Sequence, residues 1–395
     1  MKLDRLTRNY VRRHRDTCAR GRTAPWHLSL LAPGQLVWCL LGLDLMLMCV
    51  IWRWDIALYV VNFFFAALYF GIVLFRTLAV ALSFTGRGIR RFTASQPAIL
   101  TADELPVYTI LVPLYHEENI ADSIVSALNR LDYPEDKLDI KLLLEEDDAA
   151  TRTALAGLAL PAAYDVVVAP AGGPKTKPRA CNYGLERARG EYCVIYDAED
   201  RPEPDQLRKA VLAFRECAPR VACLQAKLNF YNSRQNLLTR WFAVDYSTWF
   251  DLFLPGLQCL RVPIPLGGTS NHFRTAALRE LDGWDPFNVT EDCDLGVRIY
   301  QAGYRTEMIE STTWEEANCR LGNWLRQRSR WVKGFLQTHL AHTRSPWRSL
   351  RRLGPWGYFG FAMSVGGSSL VLLTNVIYWL LGAGYLGLLA RCMQQ

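Results

Sequence analysis

Two carboxylates two residues apart, Asp197 and Glu199, follow directly on the β-rich run Tyr192–Tyr196 (YCVIY). In an extended segment, positions i and i+2 point the same way. A pair of carboxylates helped by substrate phosphates is the oxygen set that a hard divalent cation, Mg²⁺ or Mn²⁺, prefers. Such an ion would clamp a departing diphosphate. A solvated loop is the competing reading, because DxE is a common triplet. Further along, Thr290-Glu291-Asp292 opens a segment with Leu295, Ile299 and Ala302 on one helical face. Acids suit a helix N-terminus, and the same potential would keep Asp292 ionised, as a general base requires. Capping alone is the alternative there. In Gln327-Arg328-Ser329-Arg330-Trp331, Gln327 and Trp331 share a helical face with Arg330 beside them. That face offers an amide, a guanidinium for phosphate and an indole on which a sugar ring can stack. An interfacial helix with snorkelling basic residues fits the same stretch and is compatible with that role.

These groups need a scaffold, and residues 106–200 supply its pattern. Val107–Val112, Ile140–Leu144, Asp165–Ala169 and Tyr192–Tyr196 read as buried strands, and Glu117–Leu131 and Arg179–Arg189 as helices. The alternation predicts an α/β domain with a mostly parallel sheet covered on both faces, whose ligands bind beyond the carboxyl ends of the strands. Acids follow two of those ends, Glu145-Glu146-Asp147-Asp148 and Asp197-Ala198-Glu199-Asp200. No GxxxxGK[ST], HExxH or GxSxG motif occurs, and no GxGxxG follows a strand of the 106–318 region, which argues against P-loop, dinucleotide, zinc-hydrolase and serine-hydrolase chemistry. Gly172-Gly173-Pro174 reads as a turn. The 11 cysteines are scattered without CxxC spacing and read as reduced thiols.

The chain of 395 residues carries a net charge of +7, and that charge is segregated. Residues 1–22 sum to +6, 23–100 to +3 and 319–395 to +10, so residues 101–318 carry −12. A nucleic-acid partner is not expected, because the basic runs border apolar segments instead of interleaving with a recognition fold. Residues 35–52 and 57–75 each approach the length of a membrane span. The positive flanks predict a transmembrane hairpin with both ends in the cytoplasm. Tyr358–Ala390 is apolar throughout, and Gly366-Gly367 is expected to divide an interfacial piece from a third span. Asp44, mid-span, reads either as lining a polar path or as a carboxylate hidden against neighbouring helices. The expected layout is a basic cytoplasmic segment (1–34), a hairpin (35–84), a catalytic domain (101–318), interfacial helices (319–354) and a membrane segment (355–395).

Taken in order, PLYHEEN (113–119), EEDD (145–148), DAED (197–200), GGTSN (267–271), TED (290–292) and QRSRW (327–331) resemble the membrane-embedded, processive family 2 glycosyltransferases. The bacterial cellulose synthase catalytic subunit typifies them. The resemblance spans residues 105–335 and implies a GT-A nucleotide-sugar domain on the cytoplasmic face of a bacterial inner membrane. By position it implies that Pro113, Tyr115, Glu117 and Asp147 (or Glu146 in its place) hold the base and ribose, and that Lys177 approaches the donor. Asp197 and Glu199 would hold the metal and diphosphate. Gly268 and Thr269 would face the acceptor. Asp292, beside Glu291, would be the base, with Gln327, Arg330 and Trp331 at the pyrophosphate and acceptor end. The family inverts the anomeric centre in one displacement, so no protein nucleophile is needed.

The sequence departs from that family in three places. DxE stands where the family has DxD, and GGTSN stands where cellulose synthases carry a cysteine-containing loop. One span follows QRSRW, so the expectation is either a short form without that family's translocation channel or a channel completed by further copies of the chain or partner membrane subunits. The expected activity is extension of a β-linked polysaccharide from a UDP-hexose, with a growing glycan or a lipid as acceptor and membrane lipids around it. The rivals are a single transfer to a lipid and a non-catalytic membrane scaffold.

Overall fold

The computed structural model describes residues 4–14, 33–93 and 95–392. Most of the expected basic leader, residues 1–3 and 15–32, therefore lies outside the described residues. Helix α1 (Arg5–Arg13) is capped by Asp4, whose carboxylate accepts the Thr7 amide at 2.8 Å. Helix α2 (Pro33–Ser83) is broken at Arg53 (φ −146°, ψ 74°). A straight helix would put its ends about 75 Å apart. Instead, Gln35 donates to the Leu340 carbonyl at 3.1 Å and Arg76 to the Ser368 hydroxyl at 2.6 Å. A methyl at Gly366 would touch His339, so those two anchor points are neighbours. The chain must therefore reverse at Arg53.

The catalytic-domain region runs β1 (Tyr108–Leu114), α3 (Ala121–Leu128), β2 (Leu138–Glu145), α4 (Ala149–Ala156), β3 (Tyr164–Ala169), α5 (Lys177–Arg187), β4 (Tyr192–Ile195) and β5 (Arg201–Pro202). It continues through α6 (Gln206–Glu216), β6 (Val221–Phe230), α7 (Leu237–Ser247), α8 (Leu254–Leu260), β7 (Asn271–Arg274), α9 (Thr275–Glu280), α10 (Glu291–Gln301) and β8 (Arg305–Glu315). Helices α11 (Leu321–Thr343), α12 (Pro346–Phe361) and α13 (Gly367–Cys392) follow.

One eight-stranded sheet has the order β3-β2-β1-β4-β7-β6-β8-β5. The pairs β2–β3, β1–β2, β1–β4 and β6–β8 are parallel, whereas β7 is antiparallel to β4 and β6, and β5 to β8. The sheet is thus mixed, with β5 and β7 opposing the common direction. Parallel strands buried on both faces need apolar side chains at every position. Ile110 and Val112 enter one core with Ile124, Leu128 and Phe214, and Leu111 between them enters the other with Cys181, Leu185 and Trp284.

The helix expected over 117–131 is shorter, because the His116 amide donates to Asp148 (2.7 Å) and the Glu117 amide to the Thr151 hydroxyl (3.0 Å). Those bonds hold the preceding residues as a loop.

The apolar helices pack onto this domain. Phe75 and Ala79 of α2 join Phe253 and Leu257, while Leu353, Phe361 and Val365 cover Cys293 and Val297 of α10. Among the described residues, two helical stretches are long and apolar enough to cross a membrane, Tyr59–Ser83 (mean hydropathy 2.0) and Pro346–Gly384 (mean hydropathy 1.5), and Gly34–Asp44 is a shorter apolar helix. The expected division at Gly366-Gly367 falls elsewhere. A π turn (Ala362–Gly366) carries the helix through, and the break comes at Gly354 (φ 69°, ψ 166°). The following Pro355 disfavours helical dihedrals at residue 354, and glycine adopts positive φ without penalty.

Candidate active site

The turn after β4 is fixed by Asp200. One of its oxygens accepts the Asp197 amide at 2.7 Å and sits against the Thr269 hydroxyl. The other is buried and without a partner among the described residues. Burial, then the charge of Asp197, pushes the Asp200 carboxyl far up. The turn leaves Asp197 facing outward, where Lys177 Nζ approaches Oδ1 at 2.5 Å. Lys177 opens α5 and also donates to the Gly268 carbonyl at 2.6 Å. The 267–271 loop is pinned from below. Gln225 accepts the Gly267 amide at 2.8 Å and donates to the Thr269 carbonyl at 3.1 Å, and the Ser270 amide donates to the Ile195 carbonyl at 2.8 Å. A methyl on Gly268 would lie 3.5 Å from Asp292 Oδ2 and 3.9 Å from Lys177 Nζ. Asp197, Lys177, Gly268 and Asp292 thus surround one small space beyond the carboxyl end of β4.

The electrostatics of that space are those of crowded acids around one cation. Burial pushes Glu291 up to about 8, with Asp292 adding to it. Asp292 is pushed up to about 6 by burial, held back by the Cys293 amide (2.6 Å to Oδ1) and by Lys177. Glu199 rises to about 7 through burial and then the charges of Asp197 and Glu117. Burial alone would lower the Lys177 ammonium, but Asp197 and Glu291 outweigh it and keep it charged. Glu315, at the end of β8, is raised by burial and by Asp200, Asp197 and Glu199. Sequence reasoning missed Glu315 and Asp200. For Asp200 the available signal was its place in DAED, whereas no motif singles out Glu315 at the end of β8.

The other expected site residues are placed as follows. Pro113 lies half-buried in β1, Tyr115 is exposed with its ring 4.1 Å from that of His116, and Glu117 feels burial and then Asp197. Asp147 pairs with Lys175, whereas Glu146 accepts the Ala171 amide at 2.6 Å, so both acids face the 170–175 loop. Thr269, expected to face an acceptor, is buried between the Ile195 carbonyl (3.0 Å) and Asp200, and only Gly268 borders the open space. The reason is that the loop needs an internal hydroxyl to close against β4. Gln327 accepts the Asn318 side-chain amide at 2.8 Å. Arg330 is exposed and has no ion pair among the described residues. Trp331 lies against Phe242 and Tyr246 (centroids 6.0 and 6.1 Å), with the Arg328 guanidinium 4.9 Å over its ring.

These three α11 residues reach Asp292 through the helix, without a hydrogen bond to it among the described residues. The Thr338 hydroxyl accepts the Asn288 side-chain amide at 2.9 Å, His342 meets Asp294 at 2.8 Å, and a methyl at Gly334 would collide with the Thr290 methyl at 2.3 Å. Glycine at 334 is what lets α11 lie on the TED turn.

An α/β domain that gathers carboxylates and a lysine beyond its strand ends is here a glycosyltransferase. The family described as glycosyl transferase family group 2 matches residues 192–393, just over half of the chain. The chain belongs to that family. It is similar to the probable glycosyltransferase YdaM of Bacillus subtilis, 27% identical over 72% of this chain and 70% of that one. It is also similar to glucomannan 4-beta-mannosyltransferase 2 of Arabidopsis thaliana (28% identical, 52% of this chain, 40% of that one). A third relative is the beta-monoglucosyldiacylglycerol synthase of Synechocystis (26% identical, 68% and 57%). The chain therefore spans 40% and 57% of the length of the latter two. Among solved structures, the mannosyltransferase PcManGT of Pyrobaculum calidifontis, with GDP-mannose and Mn²⁺, aligns over 80% of this chain and 94% of that one at 18% identity and a TM-score of 0.48.

Proposed function

We propose that this glycosyltransferase is a multi-pass protein of a bacterial inner membrane with a cytoplasmic GT-A domain. It extends a β-linked polysaccharide from a UDP-hexose by inverting transfer, with Asp292 as general base. The reading rests on one observation, the open space at Gly268 with the Asp292 carboxylate on one side and Lys177 on the other. An acceptor hydroxyl entering there would lose its proton to Asp292 as its oxygen bonds to the anomeric carbon. The bond to the departing diphosphate breaks on the opposite face. Lys177 would transfer its attraction from Asp197 to the diphosphate, and Arg330 would meet the same charge from α11. Tyr115, Glu117 and Asp147 would line the base and ribose.

A divalent cation fits the donor set. Burial, then the charge of Asp197 beside it, raises the proton affinity of Glu199 in a crowd of acids, which is the condition a hard cation relieves. Bound with the donor, Mg²⁺ or Mn²⁺ would neutralise the leaving diphosphate. The test is UDP release by the purified chain across UDP-sugars. The expected result is turnover with one UDP-hexose that Asp292→Asn removes. Undiminished turnover in that variant would overturn the base assignment.

A second reading, one transfer to a lipid acceptor, is favoured by a specific surface. Leu237, Trp241 and Val244 of α7 and Leu321 and Leu325 of α11 are each at least half exposed. Arg328 and Asp245 tie the two helices together beside Trp331. Such an apolar ledge suits an acyl chain or the bilayer surface. Product size separates the two: a glycan ladder supports the polymer reading, and a single-sugar glycolipid the lipid reading.

A further inference from the structure

On the opposite side of the sheet from the acidic cluster, a cavity of about 470 Å³ opens at the amino-terminal ends of β6 and β8. Four arginines line it: Arg87 after α2, Arg220 before β6, Arg261 after α8 and Arg305 at the start of β8. None of the four side chains has an ion pair or hydrogen bond among the described residues. The one acid in the lining, Glu307, is already held by Arg90 at 3.1 Å and by the Cys217 thiol at 3.2 Å. Arg87, Arg220 and Arg261 are exposed and Arg305 is half-buried, so the lining carries four positive charges without a counter-charge among the described residues, a field that attracts an anion.

The backbone is built to hold them there. The Arg305 amide donates to the Arg220 carbonyl at 2.8 Å, so two of the arginines are locked side by side. Arg261 adopts a left-handed conformation (φ 56°) at a helix end where glycine would be unstrained. The Tyr300 hydroxyl donates to its carbonyl at 3.1 Å.

We infer that this cavity binds a phosphate-bearing anion, distinct from the sugar donor. Planar guanidinium forks match phosphate oxygens two at a time, and the volume suits a headgroup-sized ligand. Location narrows the source. Leu82 and Thr85, at the end of the apolar limb of α2, form one wall. Beside Arg261, the Trp356 indole of α12 donates to the Leu260 carbonyl at 2.8 Å. The mouth thus lies where the apolar helices leave the catalytic domain, the level at which an anionic lipid headgroup would sit. A free phosphate or diphosphate offers the same chemistry.

Native mass spectrometry of the full chain in neutral detergent separates these sources. The probes are dihexanoyl-phosphatidylglycerol, dihexanoyl-phosphatidylcholine and inorganic pyrophosphate. The expected result is that phosphatidylglycerol binds and phosphatidylcholine does not. The Arg220→Gln/Arg305→Gln variant should weaken binding about tenfold or more, while an Arg351→Gln/Arg352→Gln variant outside the cavity should not. Displacement by pyrophosphate identifies free phosphates as competent ligands. Phosphatidylglycerol binding that resists pyrophosphate assigns the cavity to lipid. Equal binding by wild type and the cavity variant would overturn the proposal, as would failure of both anions to bind. An Arg87→Gln/Arg220→Gln variant repeats the test should the first pair fold poorly.

Discussion

Asp292 and Glu291 are neighbours in the TED turn, and their surroundings separate them. Burial raises both carboxyls, Glu291 to about 8 and Asp292 to about 6, so Glu291 is the member of the pair that holds a proton more readily. Glutamine resembles a protonated glutamate, so Glu291→Gln should retain kcat within about tenfold at pH 7. Asp292→Asn should cost about 10²–10⁴-fold, the usual contribution of a general base. Because the raised pKa of Asp292 favours its protonated form, kcat/KM should fall as pH drops through about 6 and level off above it. Initial rates between pH 5 and 8 with saturating metal would show that limb, and a flat profile would remove Asp292 from the role. Gly268 provides a steric counterpart. A methyl there meets Asp292 and Lys177 at ordinary contact distances, so Gly268→Ala should fold normally. Gly268→Val would fill the space between the two charges and should lower kcat/KM about 10²-fold with an unchanged melting temperature. Calorimetry beside acceptor kinetics checks both.

At the scale of elements, the contact between α10 and α11 decides whether the base and the QRSRW residues keep their relative places. Gly334→Ala would drive a methyl into Thr290, and overpacking of this kind costs about 1–3 kcal/mol. The expected outcome is a lower melting temperature together with a loss in kcat larger than any change in donor KM. Loss of stability with unaltered kcat would show that the two helices need not be held together. This interface was invisible in the sequence, since nothing in TED or QRSRW states that Gly334 faces Thr290. Other elements were legible for a clear reason. β1, β2 and β4 are continuous apolar runs because parallel strands are buried on both faces. β7 (NHFR) and the threonine-rich end of β8 carry no such run, and their pairing partners lie far away in the chain. Hence DAED and TED could be recognised as acids of interest, while Glu315 and the burial of Thr269 could not. Both depend on strands that only the assembled sheet brings alongside β4 and β6.

Across the whole molecule, the segregated charge acquires a structural meaning. The basic N-terminal segment is anchored at both ends of α1. Asp4 pairs with Arg179 at 2.6 Å, and Arg13 and His14 engage Asp282. Arg179 also holds Glu145 at 3.0 Å and donates to the Pro170 carbonyl, so α1 braces the strand end and loop that carry Asp147 and Lys175. Burial would raise the Asp4 carboxyl, but the Thr7 amide and Arg179 more than offset it and hold it below the usual range. A depressed carboxylate contributes stability above its unfolded pKa and loses it as pH falls through the folded one. Asp4→Asn should therefore lower stability by about 1–3 kcal/mol at neutral pH, and the difference from wild type should shrink in acid. Urea titrations at pH 7 and pH 3 would test that sign, and an equal difference at both values would exclude the ion pair as its source.

The fastening of α11 to the TED turn has a geometric consequence. α11 is joined through α12 to the long apolar stretch Pro346–Gly384, and Asn288–Thr338, Asp294–His342 and Thr290–Gly334 join α11 to the residues around Asp292. The acid assigned as base is thereby mounted on the same rigid frame as the helices that would meet the lipid. Such a frame acts as a depth gauge: every transfer would take place at one fixed height above the bilayer. Between turnovers, the sugar chain would advance past a stationary reaction plane.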